Sequence, residues 1–86
     1  MAKRDPPMWI TFTWTGVGWL CVFEWGKEGG RFRQEQVQFQ PSAALVREDA
    51  PQDALLAEIK VAHKKALKKA EYSFDKHHGR WVLVES

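Results

Sequence analysis

The chain has 86 residues, enough for one small domain with a shallow core. Thirteen Lys and Arg against eleven Asp and Glu give a formal net charge of +2, short of the plain basic excess usual in nucleic-acid-binding domains. The lone cysteine, Cys21, excludes an internal disulfide and a cysteine-based zinc site, and no uncharged apolar stretch reaches the roughly 18 residues of a spanning helix.

Five Trp and five Phe are many for this length. Each buried aromatic removes about 150–250 Å² from water, so the composition predicts an independently folding domain. The start Met-Ala-Lys-Arg is basic, but the next segment carries Thr, Gly and Glu, unlike a signal peptide. With a free Cys in an apolar run, this leads us to expect a cytoplasmic protein.

Residues 1–7 read as a flexible, basic, Pro-punctuated lead, and residues 8–86 as one α+β domain. From Met8 to Thr15, Met8, Ile10, Phe12 and Trp14 alternate with Trp9, Thr11, Thr13 and Thr15. A period of two with aromatic and β-branched residues predicts a strand with one apolar face. Thr15-Gly16-Val17-Gly18 supplies a hairpin turn.

Trp19 to Trp25 is a second strand, with Trp19, Cys21, Phe23 and Trp25 on one face and Leu20 and Val22 on the other. Apolar on both sides, it reads as a central strand, covered twice or holding one face for a partner. After the turn at 26–30, Arg31 to Gln40 is mostly polar and suits an edge strand, with a bulge expected after Phe32. The sheet region is thus 8–40.

A connector follows at 41–49, with one helical turn expected through Ala43, Ala44, Leu45 and Val46. Asp49 reads as the N-cap of a helix over 50–74, with Pro51 in its first turn. Leu55, Leu56, Ile59, Ala62, Ala66, Leu67, Ala70 and Phe74 form one apolar stripe at helical spacing. Asp75 to Gly79 is a turn and 80–85 a final strand, expected beside the first. The predicted fold is an antiparallel sheet in β-β-β-α-β order with one amphipathic helix packed on one face.

Two features carry candidate function. Lys60, Lys64, Lys65, Lys68 and Lys69 lie on the solvent half of the predicted helix, where they would meet phosphates or simply be hydrated. The second is aromatics interleaved with arginines: Trp9, Trp19, Trp25, Phe32 and Trp81 with Arg31, Arg33 and Arg80. Such residues stack bases or anchor a protein interface when exposed, and otherwise build the core. Trp9 and either Trp19 or Trp25 are expected on the far face of the sheet.

No catalytic set is legible. Ser42, Ser73 and Cys21 lack a base in any recognisable motif, and the glycines sit between strands, where they make hairpins and no phosphate loop. His63, His77 and His78 match no zinc spacing, so neither a metal nor a cofactor is expected.

Three strands followed by a helix resemble small DNA-binding domains of the integrase N-terminal type. The run His63-Lys64-Lys65-Ala66-Leu67-Lys68-Lys69-Ala70 is faintly similar to a helix of double-stranded-RNA-binding domains. With the closing strand, the order is similar to HicB-type antitoxins. Each likeness covers a topology or a short run, and topology alone assigns no function.

The sequence therefore favours a non-enzymatic protein-binding module, such as a small phage or mobile-element inhibitor or adaptor acting on a host protein or nucleoprotein complex. Its interface candidates are Trp9, Trp19, Trp25, Arg31, Arg33 and Trp81. The alternative is a small nucleic-acid-binding protein using the five lysines and an aromatic/Arg sheet face. A membrane partner is not expected; a homodimer through a sheet edge, by way of Gln34, Gln36 and Gln38, is compatible with the polar third strand.

Overall fold

The computed structural model describes residues 6–26, 32–67 and 70–84. Three strands, β1 (Trp9–Trp14), β2 (Trp19–Gly26) and β3 (Phe32–Val37), precede helices α1 (Gln52–Ala62) and α2 (Lys64–Leu67). Strands β4 (Glu71–Asp75) and β5 (Arg80–Val84) follow. All pairings are antiparallel, and the five strands lie in the order β3-β2-β1-β5-β4. The α+β class and the sequence of sheet, helix and closing strand agree with expectation, with β4 as an addition.

The two-residue period of β1 becomes the two faces of the sheet. Ile10 faces Phe23 and Phe12 faces Cys21 across the β1–β2 pair, and all four are buried. On the other side of β1, Ile10 faces Trp81 of β5. Leu55 and Ile59 of α1 and Leu67 of α2 close this layer from above, each fully buried in the same cluster. A buried Leu or Ile contributes roughly 1.5–3 kcal/mol relative to exposure, so these contacts pin the helical segment to the sheet. As expected, β2 is central, β3 is an edge, and β5 lies beside β1.

The tight ends explain the register. Gly16 has φ 99°, a conformation glycine adopts without strain, and the Thr15 hydroxyl bonds both the N–H and the C=O of Gly18 across the turn. The indole N–H of Trp19 donates to the Leu45 carbonyl at 2.8 Å, tying the expected single turn at Ala43–Leu45 to the start of β2.

Four expectations need correction. The helix begins at Gln52 with Pro51 as its cap, because Asp49 pairs with Arg47 (3.6 Å) and Ala50 turns back onto the Arg47 carbonyl. It ends at Ala62, well before 74. His63 leaves the helical region (φ −118°, ψ 46°) to set its ring edge-on to Phe23 with Nε2 3.3 Å from the Gln38 carbonyl.

Glu71-Tyr72-Ser73-Phe74, read from the sequence as the end of the helix, and Asp75, read as the start of the turn, form the added strand β4. Tyr72 and Phe74 pack toward the core while Glu71 and Ser73 face solvent. Nor is there a bulge in β3, which pairs with β2 in unbroken register from Phe32 to Val37. Of the residues 1–7 read as a flexible lead, 1–5 lie outside the described residues, while Pro7 packs into the fold. That residue is fully buried, and its carbonyl accepts the Tyr72 hydroxyl at 2.6 Å.

Candidate functional site

The helical segment covers one face of the sheet. Among the described residues nothing covers the other. The strand registers place Trp9, Thr11 and Thr13 of β1 there, beside Leu20, Val22 and Glu24 of β2. On the far side of β1 stand Arg80, Val82 and Val84 of β5, and beyond them Glu71, Ser73 and Asp75 of β4. Trp9, Leu20, Val22 and Val82 are half-buried, and Val84 is exposed. They lie on three adjacent strands, with Glu24 opposite Trp9, Thr11 opposite Val22 and Thr13 opposite Leu20 on the same face.

Trp9 is held in place. A Cβ at Gly26 would lie 3.4 Å from the Trp9 ring and 3.3 Å from Met8 Sδ, so the missing side chain at Gly26 leaves room for the indole beside β2. The Arg80 guanidinium lies 4.6 Å from the centroid of the Trp9 ring, a cation–π geometry. Arg80 Nε is buried and has no hydrogen-bond partner among the described residues. Among the described residues, the register carries Glu24, Glu71 and Asp75 onto this face beside the Arg80 guanidinium.

The other candidates are distributed differently. Trp19 and Trp25 belong to the helix-covered face, where both are half-buried and pack against the core. Trp19 meets Trp14 edge-on, and Trp25 carries the Arg33 guanidinium 4.7 Å from its ring centroid. Trp81 is buried in the core against Phe74 and is withdrawn as an exposed anchor. The expectation that Trp19 or Trp25 joins Trp9 on the far face is likewise corrected: β2 keeps its odd-numbered residues in phase with Ile10 and Phe12. Arg31, Lys68 and Lys69 lie outside the described residues.

Lys64 and Lys65 are exposed on α2 and Lys60 is half-buried on the flank of α1. They sit on the helical layer, across the sheet from Trp9. Arg33 and Trp25 share that helical side, so the basic set and the uncovered apolar face are two separate surfaces. A shallow cleft lined by Gln38, Gln40, Ala62 and His63 lies where the chain after β3 meets the end of α1.

No protein-family model, curated protein or solved structure matches the chain. Chemistry at this face is therefore read from its own residues.

Of the titratable groups with displaced pKa, two are packed inside the fold and one, Asp75, stands at the end of β4 on this face. Burial pushes the Cys21 thiol up to about 12 and raises the Tyr72 phenol as well. The hydrogen bond from His78, at 2.7 Å, lowers the Asp75 carboxyl, which also accepts the His77 N–H in the β4–β5 turn. No set of three or more His, Cys, Asp or Glu is placed to hold a metal ion among the described residues, and no described helix is long and apolar enough to cross a membrane.

The interface list from the sequence missed Leu20, Val22, Val82 and Val84. Their signal was present as two strands apolar on both sides. Without the register, nothing tells which side the helix takes.

Proposed function

We propose that the chain is a non-enzymatic protein-binding module, with the uncovered sheet face around Trp9 as its docking surface. One observation carries the reading. The core layer is completed by the helical segment, yet Trp9, Leu20, Val22, Val82 and Val84 place a second set of apolar side chains on the opposite face. Apolar side chains gathered on a surface outside the core often mark an interaction site. Trp and Arg are enriched at the energetic centres of interfaces, and Trp9 with Arg80 supplies both. The action proposed is occupancy of a partner surface, as an inhibitor or adaptor.

Affinity capture from a lysate of the source organism, with and without nuclease, tests this. The module should retain a partner after nuclease treatment, and Val82→Lys should abolish retention while Lys64→Glu leaves it intact. Retention that survives Val82→Lys overturns the reading.

Nucleic-acid binding is the second reading, favoured by Lys60, Lys64 and Lys65 sharing the helical side with the Arg33–Trp25 stack. It requires affinity that falls steeply with salt, because each phosphate contact releases counterions. A Lys64→Glu, Lys65→Glu chain would then lose binding to DNA or RNA at low salt. Binding unchanged in that variant removes this reading.

A further inference from the structure

The sheet has two edges, and their charges differ in kind. Among the described residues, β3 is paired on one side only, with β2, and β4 on one side only, with β5. An edge strand offers its outer N–H and C=O groups to another strand, and proteins commonly blunt such edges with proline, bulges or like charges. Within β3 there is no proline, and its pairing with β2 shows no bulge. Its covered-side charges are Arg33 and Glu35, two residues apart, of opposite sign, with side chains 54% and 41% accessible.

We infer that β3 is a self-complementary edge that pairs with β3 of a second copy, about a two-fold axis at Gln34, joining two five-stranded sheets into one. Antiparallel neighbours keep side chains on common faces, so such an axis must pass through a residue and not between two. Three registers are centred within the charged stretch. An axis at Arg33 sets Arg33 against Arg33 of the second copy, and an axis at Glu35 sets Glu35 against Glu35. Like charges directly opposite are unfavourable in a sheet.

The axis at Gln34 alone sets Arg33 opposite Glu35 twice, with Gln34 against Gln34 on the uncovered face. Within one chain Arg33 Nη2 already donates to Glu35 Oε2 at 3.0 Å. A five-donor guanidinium and a two-oxygen carboxylate can keep that bond and add the cross-strand one. β4 has the opposite pattern. Centred on Ser73, self-pairing would oppose Glu71 to Asp75, acid against acid, at both ends of the strand. Charge therefore singles out β3, and the occupant is a second copy of this chain.

Two charge reversals test this without any other ligand. In sedimentation from low concentration to about 1 mM, the range of weak small interfaces, the wild-type chain should show a reversible monomer–dimer equilibrium. Arg33→Glu and Glu35→Arg should each weaken self-association by about tenfold or more, since each opposes like charges twice. An equimolar mixture of the two variants should dimerise again, because each then offers what the other lacks. A wild-type chain monomeric throughout, a dimer indifferent to both reversals, or a mixture that stays monomeric overturns the inference. Should either variant unfold, amide exchange of the wild type decides. Protection of residues 33–36 should rise with concentration while that of 71–75 stays constant, and equal behaviour of the two edges overturns the inference.

Discussion

Arg80 lies over the indole of Trp9, its guanidinium carbon 4.6 Å from the ring centroid, on the face of the sheet that the helical segment leaves bare. The two residues come from β5 and β1, strands that touch through Trp9–Val82 and Ile10–Trp81. Because Trp9 stands outside the core cluster, Trp9→Thr should leave the fold intact, at a cost of about 1–2 kcal/mol in chemical denaturation. Arg80→Ala should cost about 0.5–1 kcal/mol, the scale of a cation–π contact at a partly exposed site. A loss above about 4 kcal/mol for Trp9→Thr would place Trp9 in the core and remove it from the interface.

Trp81 is the internal control. It is one residue from Arg80 but points the other way, buried against Phe74 and the helical layer. Trp81→Ala should cost about 3–5 kcal/mol, a large share of the roughly 5–15 kcal/mol a small domain commands. The difference between the Trp9 and Trp81 variants in urea midpoint reads the two faces of one sheet directly.

The β4–β5 turn depends on Asp75 and Gly79. Gly79 has φ 66°, and Gly79→Ala should cost about 1 kcal/mol through backbone strain alone. Asp75 accepts from His78 and from the His77 N–H, which lowers its carboxyl from the ordinary value of 3.8. A lowered folded-state pKa stabilises the fold above the unfolded value, and that contribution fades as pH falls through the folded one. Asp75→Asn should thus melt below wild type at about pH 6, with the gap closing once the pH drops beneath 3.8. A gap that persists in acid would show that the carboxylate charge is not what holds the turn.

Cys21 is fully buried, and burial pushes its thiol up to about 12. Native protein should therefore react with a maleimide only at the rate of unfolding, while denatured protein reacts at once. Labelling of the native chain as fast as a free thiol would contradict the placement of β2.

Much of this fold is legible in the residues, and the failures have physical causes. The period-two patterns of Ile10 and Phe12 and of Cys21 and Phe23 name the covered face correctly, because alternation is a local property. β4 is hidden because Ala70 and Phe74 continue the three-and-four spacing begun at Leu55, so the strand's alternation of Tyr72 and Phe74 is masked by a coincidence of phase. What sets the two apart is tertiary: β4 pairs with β5 from Glu71 to Asp75, a partner the local pattern does not name. The site was half legible. Trp9 follows from β1 alone, but Leu20, Val22 and Val82 become one surface only when β5 lands beside β1, a long-range pairing no local pattern encodes.

The claim that the uncovered face docks a protein partner is tested most directly by hydroxyl-radical footprinting of the chain, free and in its captured complex. The account expects oxidation to fall at Trp9, Leu20, Val22 and Val82 on binding, with no change at Val61 on the solvent side of α1, which is 76% exposed. Protection confined to Val61 and the lysine-bearing helical side, with Trp9 and Val82 unchanged, would contradict it.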